Sequence, residues 1–304
     1  MGSVKILLIG CGYWGKNWYN TILKSDYELV GVVDPKPVID VKVPLFDDVL
    51  DVNIDYTHTI VSVPPRNVLE VFGKLNITAD NVLIEKPCGV SYNDILKLGN
   101  IYPGLIFMNS PQYKYIKDNM EQIGKPLFFD SRRASMGPRI RDDVSILEDY
   151  LIHDLCIFMG LFGSDVDVLN VLMADFFDDP IKKDSIWLNV ESNTADHYVL
   201  GSMFSSWRFP KKIRELVIVG TEGSFIWEDE KLSINKSNYS KIDGIDDFGN
   251  IDNKLNLNES DTRILLPSKS NLELELDDFI TGNKISINLV DVWKIISTIK
   301  QEVK

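Results

Sequence analysis

Cysteine and histidine are scarce in this 304-residue chain, and their scarcity excludes two kinds of site. The three cysteines are odd in number and show no CxxC spacing, so neither a disulfide framework nor a cysteine zinc site is expected: Cys11, Cys88 and Cys156. The three histidines, at positions 58, 153 and 197, are not spaced as metal ligands are, and no metal is predicted.

Positive charge and long apolar runs are also lacking. The formal net charge of -13 disfavours nucleic acid and anionic membranes as partners. The first apolar run, VKILLIG, is too short to span a membrane, and no basic segment precedes it as in a signal peptide. With reduced thiols, these features predict a soluble, cytoplasmic protein. The length and the 44% hydrophobic content fit two ordinary domains.

The first part of the chain alternates strand and helix patterns. Strands are predicted at 4–10, 27–34, 56–63, 81–87 and 105–109, and helices at 14–24, 66–75 and 92–99. This alternation predicts βαβ units and a parallel sheet, hence a Rossmann domain over residues 1–120. After the second strand, the proline-containing segment PKPVIDVKVPLF predicts a loop rather than a helix.

The pattern changes near residue 120. Residues 125–135 and most of 165–236 have strand character, 147–162 has apolar residues at helical spacing, and 287–302 is helical. The stretch 237–262, rich in Asn, Asp and Ser, is predicted to be a loop. Residues 121–304 are therefore expected to form an α+β domain with a large, mainly antiparallel open sheet. We expect its last helix to pack back on the first domain.

A glycine motif, GCGYWG, ends the first strand and opens the first helix. Gly10, Gly12 and Gly15 have G-x-G-x-x-G spacing, in which the glycines permit a tight turn and close approach of a pyrophosphate. Asp34 ends the second strand, where a carboxylate can bind ribose hydroxyls and repel a 2′-phosphate. The motif predicts a bound dinucleotide, NAD rather than NADP. The structural alternative is a glycine-rich turn beside a solvated aspartate.

Two further groups of residues carry possible chemistry. Lys86 lies between Glu85 and Pro87 at the end of a predicted parallel strand, where ligands bind in open α/β sheets, although such a lysine can equally be a surface residue. Asp149 and His153 are four residues apart on one predicted helix. They predict a proton donor or acceptor oriented by its neighbouring acid, or else a histidine satisfied in the core.

Together these motifs resemble the Gfo/Idh/MocA family of oxidoreductases. The resemblance rests on the first-strand GxGxxG, the EKP tripeptide and a D-x-x-x-H-D helix early in the second domain. It extends to SSWRFPKKIRELVIVGTEGSFIWED at 205–229 and LELELDDFITGNKI at 272–285, and so covers nearly the whole chain. Within the family, GYWGKN at 12–17 and the stretch 131–154 are similar to the branch that oxidises UDP-N-acetyl-glucosaminuronate at C3.

The resemblance implies a hydride transfer between NAD and a sugar carbinol. His153 would take the hydroxyl proton, Asp149 would orient it, and Lys86 would polarise the oxygen. Cofactor contacts are expected from the three glycines, Asp34 and Lys86, and from four further residues: Tyr13 and Trp14 within the glycine motif, Pro64 after the third predicted strand, and Glu85 before the lysine. The family commonly pairs through the open sheet face, which implies a homodimer or homotetramer.

The substrate is predicted to be a nucleotide-linked sugar. Four arginines lie close together at 132, 133, 139 and 141, and Arg139 and Arg141 are expected to bind pyrophosphate or carboxylate oxygens, with Asn109 also at the substrate. Alternatively, these arginines pair with neighbouring aspartates and the substrate is inositol or a free sugar. Asn109 and Asn67 stand near positions where the family commonly has His or Tyr. A dinucleotide-binding regulator without turnover and an NAD-dependent glycosidase remain alternative functions.

Overall fold

The computed structural model describes residues 3–136, 143–176, 183–194, 198–236 and 262–302. The chain divides into two compact units. The first unit comprises Met1–Ser110, Arg141–Val144 and Lys269–Ser297, and the second comprises Pro111–Ile140, Ser145–Ser268 and Thr298–Lys304. Arg139, Arg141 and residues 237–261 of the loop predicted at 237–262 lie outside the described residues, and Thr262 is in a short strand.

The first unit contains a six-stranded parallel sheet with the order β3-β2-β1-β4-β5-β6. This is the strand order of a dinucleotide-binding Rossmann sheet, and it confirms the predicted fold class. The strands are β1 (Lys5–Ile9), β2 (Glu28–Val33), β3 (Leu45–Phe46), β4 (His58–Val61), β5 (Val82–Glu85) and β6 (Tyr102–Gly104). The helices are α1 (Gly15–Lys24), α2 (Val68–Gly73), α3 (Tyr92–Leu98), α6 (Asn271–Thr281) and the part of α7 (Leu289–Glu302) up to Ser297.

The helices of this unit follow from local sequence signals. Both α3 and α6 begin with a capping box, in which Ser91 and Ser270 cap the first turn and an acidic residue three positions later bonds back. Helix α6 ends at Gly282, whose φ of 73° is in the left-handed region that glycine tolerates. Helix α1 buries Trp18, Tyr19 and Ile22 in the core cluster that also contains β1, β2 and α6 residues.

Two predictions for the first unit, one of a loop and one of a strand, had different outcomes. The segment after β2 forms no helix before the short strand β3, which confirms the predicted loop. The predicted strand at 105–109 was wrong, because Ile106–Asn109 is a 3₁₀ helix and the sixth strand is Tyr102–Gly104. The apolar run at 105–109 is compatible with a strand or a helix. In β6, Pro103 cannot donate a hydrogen bond to a neighbouring strand, and it is tolerated because β6 lies at the edge of the sheet.

The second unit contains an eight-stranded sheet with the order β14-β13-β12-β11-β7-β10-β9-β8. Among the described strands the pairings are antiparallel except that of β7 with β10, so the predicted mainly antiparallel sheet is confirmed. The strands are β7 (Pro126–Met136), β8 (Val166–Ala174), β9 (Ser185–Asn193), β10 (Tyr198–Ser206), β11 (Arg208–Gly220), β12 (Gly223–Glu228), β13 (Lys231–Lys236) and β14 (Thr262–Arg263). Helix α4 (Pro111–Asp118) also belongs to this unit.

Helix α5 (Ile152–Phe162) packs on one face of this sheet. Its residues 152–159 are all buried, and the rings of Phe158 and Phe162 contact Phe129 of β7 edge to face. The preceding residues Leu147–Leu151 form a π-helical turn, a wider geometry that the helical spacing of the sequence did not predict. The other sheet face exposes apolar cross-strand neighbours, Phe128 and Leu200. Within the described ranges, no helix has the length and apolarity needed to cross a membrane.

Candidate functional site

The turn between β1 and α1 has the geometry of a dinucleotide-binding loop. Gly10 has φ of 87°, and a Cβ there would lie 2.4 Å from the carbonyl oxygen of Ser62. A Cβ on Gly15 would lie 2.0 Å from the carbonyl oxygen of Gly10, so both positions require glycine for the fold itself. Around Gly12 nothing lies within 4 Å of the Cβ position. This open approach fits a ligand phosphate at the N-terminus of α1.

Asp34 is held at the carboxyl edge of the same sheet. Its Oδ2 accepts a hydrogen bond from the backbone N–H of Cys11 at 2.6 Å, and its Oδ1 accepts one from Lys36 N at 2.8 Å. Since each carboxylate oxygen can accept more than one bond, the remaining lone pairs fit ribose hydroxyls. The two backbone donors fix the carboxylate in place, so the residues of this turn fit an adenine dinucleotide.

Two further residues that are predicted to contact the cofactor, Tyr13 and Pro64, are both exposed. Tyr13 is 80% exposed and Lys16 stands over its ring at 5.0 Å. Pro64, also exposed, follows β4, the strand that pairs with β1, and precedes a short 3₁₀ helix. Both belong to the same unit as the dinucleotide turn. Their contact with the cofactor stays a prediction.

Glu85, at the end of β5, has two unusual partners. Its Oε1 accepts hydrogen bonds from the indole N–H groups of Trp14, at 2.5 Å, and Trp18, at 2.6 Å. Burial raises the pKa of Glu85, while the two indoles and Lys86 act in the opposite direction. Lys86 follows directly, and the carbonyl of Pro87 accepts a hydrogen bond from the Trp293 indole of α7. Hydrogen bonds at both neighbours of Lys86, Glu85 and Pro87, thus fix the end of β5.

Asn109 lies in the interior of the first unit. It is 2% exposed, its Oδ1 accepts a hydrogen bond from the Tyr102 hydroxyl at 2.8 Å, and its Nδ2 donates to Glu275 at 3.1 Å. These bonds give the side chain an internal structural role. A contact of Asn109 with substrate stays a prediction that this burial does not favour.

The proposed acid–base residues of the second unit lie at the start of α5. Asp149 is within the π-helical turn, where its Oδ2 accepts a hydrogen bond from Trp207 Nε1 at 3.0 Å, and His153 is buried in the first turn of α5. Sequence reasoning did not identify Trp207 as a partner, although SSW is one of the landmarks of the resemblance. Orientation of His153 by Asp149 stays a prediction.

Asp154 and Arg133 form a buried ion pair between α5 and β7. The guanidinium donates to both carboxylate oxygens, at 2.8 and 3.1 Å, and the two side chains are 3% and 9% exposed respectively. Asp154 is therefore structural, and Arg133 is already paired within its own unit, whereas Arg132 is exposed. Of the four arginines in the cluster, Arg139 and Arg141, the two predicted to bind substrate, are outside the described residues. Within the described residues, no group of His, Cys, Asp and Glu is arranged to hold a metal.

Comparisons with solved structures identify proteins of the same fold. UDP-N-acetylglucosamine 3-dehydrogenase GnnA from Acidithiobacillus ferrooxidans matches with a TM-score of 0.76 at 17% identity, over 99% of this chain and 97% of that one. A variant of KijD10, a 3-ketoreductase from Actinomadura kijaniata in complex with TDP-benzene and NADP, matches with a TM-score of 0.75 at 10% identity, over 99% and 98% of the two chains.

Biliverdin reductase from Synechocystis, in complex with biliverdin and NADP+, has a TM-score of 0.67 at 13% identity, over 98% of both chains. No family model matches the chain, and no curated protein matches it by sequence. At these identities the likeness establishes the two-domain fold, and the structural neighbours fit the Gfo/Idh/MocA family that the motifs resemble.

Proposed function

We propose that this protein is a nicotinamide-dinucleotide-dependent oxidoreductase that transfers a hydride to or from a sugar carbinol or ketone carbon. The observation that carries the proposal is the turn between β1 and α1. A Cβ at Gly10 or Gly15 would collide with backbone atoms, whereas the space around Gly12 is open. Asp34, fixed at the end of β2, supplies the second element of a dinucleotide site. Oxidoreductases that share the fold support the reaction class.

The proposed cofactor is NAD(H) rather than NADP(H). The Asp34 carboxylate would meet a 2′-phosphate at close range, and two like charges there repel. KijD10, which shares the fold, is in complex with NADP, so cofactor choice must be measured on this chain. We expect NAD(H) to bind at least about tenfold more tightly than NADP(H), a free-energy difference of about 1.4 kcal/mol. Asp34→Asn removes the charge and keeps the shape, so it is expected to reduce the preference for NAD(H) over NADP(H). Equal affinities of the native protein for the two dinucleotides would contradict the cofactor assignment.

The dinucleotide supplies the hydride acceptor or donor, and side chains of the chain supply the proton. We propose that His153 accepts the hydroxyl proton during oxidation and donates it during reduction. Asp149, four residues before it, would orient the imidazole, and Lys86 would be hydrogen-bonded to the substrate oxygen. Asp149 would lower the cost of a charged imidazole through its negative charge. These roles rest on the family resemblance of the three positions.

The proposed substrate is a nucleotide-linked sugar. GnnA is a UDP-N-acetylglucosamine 3-dehydrogenase, and the KijD10 variant is in complex with TDP-benzene. In this chain, Arg139 and Arg141 would supply guanidinium groups for a diphosphate. The pairing of Arg133 with Asp154 leaves these two arginines and the exposed Arg132 as the candidates within the cluster. An inositol or free-sugar dehydrogenase is the alternative.

The decisive experiment combines dinucleotide titration with turnover of UDP- and dTDP-linked sugars, inositol and simple hexoses. Net formation of reduced dinucleotide supports a dehydrogenase, while cleavage without net change identifies a glycosidase and binding without turnover identifies a regulator.

Lys86→Ala and His153→Ala are each expected to lose activity by about 10²- to 10⁴-fold while still binding dinucleotide. UDP or dTDP is expected to compete with the sugar, and Arg139→Ala or Arg141→Ala should weaken that competition. No inhibition by either nucleotide at millimolar concentration would exclude a nucleotide-linked substrate.

We also propose that the protein is a cytoplasmic homo-oligomer, a dimer or tetramer. Leu200, Phe128 and Leu172 are between 37% and 57% exposed on one face of the eight-stranded sheet, an apolar surface that a second copy would cover. Sedimentation measurements on Phe128→Glu and Leu200→Glu, which place charge on this face, test the interface. If both variants retain the native mass, the sheet face is not the interface.

A further inference from the structure

The Glu85 carboxylate connects two functional segments of the first unit. Trp14 is the residue before α1 in the glycine motif, and Trp18 is in the first turn of α1, yet both indoles donate to the same oxygen of Glu85. Lys86 is the next residue of the chain. The hydrogen bonds therefore join the dinucleotide turn to the strand end that carries Lys86, over sequence separations of 71 and 67 residues.

A second carboxyl group, that of Glu275 on α6, lies close to this junction. Glu275 is 0% exposed, and its Oε1 accepts a hydrogen bond from Asn109, while its Oε2 is buried without a hydrogen bond of good geometry to the described residues. Glu85 pairs with Gly104 on β6, and a Cβ on Gly104 would lie 3.2 Å from Glu85 Oε2. Asn109 thus contacts Glu275 and the Gly104 backbone lies against Glu85, and the two carboxyl groups interact electrostatically.

The surroundings of the two carboxyl groups differ in a way that assigns the charge. Burial raises the pKa of Glu85, but the two indole N–H donors on one oxygen and the neighbouring Lys86 oppose this rise and favour the anion. Glu275 is fully buried and interacts electrostatically with the carboxyl groups of Glu85 and Asp278, so burial and like charge both raise its pKa well above the usual range. Two carboxylates in such proximity resist double ionisation, and the proton belongs on Glu275.

We propose that Glu85, ionised and held by the two indoles, and Glu275, protonated, form a positioning pair that fixes Lys86 relative to the dinucleotide turn. Neither residue touches the reacting atoms in this scheme. The pair would keep the lysine and the cofactor loop in one geometry, which matters because a misplacement of about 1 Å can cost about 100-fold in rate. The catalytic consequence rests on the proposed function of Lys86, whereas the charge assignment does not.

The variants Glu85→Gln and Glu275→Gln make the same substitution at the two glutamates, and they test the charge assignment without a need for enzymatic activity. A glutamine resembles a protonated glutamate in size and charge, so Glu275→Gln should leave the indole N–H signals of Trp14 and Trp18 in place in a proton–nitrogen NMR spectrum. Glu85→Gln replaces a carboxylate by a weaker neutral acceptor, and both signals should move. Trp14→Phe assigns one of them and, at a side chain 36% exposed, avoids disturbing the core. Movement of the indole signals in Glu275→Gln but not in Glu85→Gln would overturn the proposal.

The position of Lys86 provides the second measurement. After reductive methylation with a carbon-13 label, the Lys86 signal, assigned with Lys86→Arg, should shift in Glu85→Gln and in Trp14→Phe. It should stay in place in Glu275→Gln, and the signal of Lys74, which is paired with Asp48 elsewhere in the unit, should stay in all three. An unmoved Lys86 signal in Glu85→Gln refutes the positioning role even if no substrate is turned over.

The kinetic measurement separates positioning from general stability. With an active substrate, kcat of Glu85→Gln is expected to fall about tenfold, with smaller changes in KM and in dinucleotide affinity, because the geometry of Lys86 is altered rather than the binding surface. Glu275→Gln is expected to keep kcat within about twofold, because its side chain is already neutral. Equal losses in both variants would show that the pair is only structural. If neither NAD(H) nor NADP(H) binds, the proposed function fails, while the NMR measurements still decide the proposal on the pair.

Discussion

Trp207 donates its indole N–H to the Asp149 carboxylate at 3.0 Å, and this bond joins the end of β10 to the π-helical turn before α5. Trp207 is 2% exposed and follows the strand directly, so its ring is fixed by the sheet. Asp149 lies in the π-helical turn before α5. The indole therefore helps to fix the direction of the Asp149 carboxylate.

Trp207→Phe is expected to reduce both stability and turnover. Loss of a hydrogen bond to a charged acceptor costs about 1.5–3 kcal/mol of unfolding free energy, and kcat should fall toward the value of Asp149→Asn. Trp227→Phe is the matched control, because Trp227 is also buried in the second unit and donates its indole N–H to a backbone carbonyl, that of Asp229. Denaturant unfolding and steady-state kinetics separate the two effects. Equal kcat in the two variants would remove Trp207 from the site.

Removal of one partner from the ion pair between Arg133 and Asp154 is expected to destabilise the second unit strongly. Arg133→Met leaves a buried carboxylate uncompensated and should cost about 3–5 kcal/mol in denaturant unfolding. The double variant with Asp154→Leu should recover most of this loss, because no charge then remains buried. Arg132→Met, at the exposed neighbour on the same strand, is the control and should be nearly neutral. Similar losses at Arg132 and Arg133 would contradict the importance of the buried pair.

The three glycines of the dinucleotide turn are expected to respond differently to alanine. Gly15→Ala places a Cβ 2.0 Å from the carbonyl oxygen of Gly10 and should lower the melting temperature markedly. Gly12→Ala meets open space, so the melting temperature should change little, while dinucleotide affinity should fall because the methyl group occupies the approach of the phosphate. Gly73→Ala, also without a steric clash but remote from the turn, should leave affinity unchanged. Undiminished dinucleotide affinity in Gly12→Ala would place the cofactor elsewhere.

His58 is expected to make the protein less stable in mild acid. Burial lowers the pKa of its imidazole, whose Nδ1 lies 3.0 Å from Thr57 Oγ1 and whose ring packs edge to face on Phe279. In the unfolded chain the pKa of His58 is about 6.5, so below that pH the unfolded chain binds more protons than the folded protein. The contribution of His58 to stability is therefore present above about pH 6.5 and is lost as the pH decreases. The unfolding free energy should therefore fall less steeply from about pH 8 to about pH 5.5 in His58→Gln than in the native chain. Parallel pH profiles would show that His58 does not contribute.

The Rossmann fold was predictable because its signals are local. Short apolar runs separated by helical segments define parallel strands, and the spacing of Gly10, Gly12 and Gly15 reports backbone conformations that other residues cannot adopt. The capping sequence of α6 and the prolines after β2 likewise act within a few residues. The strand at 105–109 was misassigned because a short apolar run is compatible with either a buried strand or a buried helix.

The sequence by itself determined the two-domain fold and the candidate residues Lys86, Asp149 and His153, since spacing along the chain records local backbone geometry. Only the tertiary structure decided the partners of these segments: two indoles on Glu85, the indole of Trp207 on Asp149, and the guanidinium of Arg133 on Asp154. Such pairs join residues from 21 to 71 positions apart. Their geometry depends on how strands and helices pack, which no local pattern of residues records.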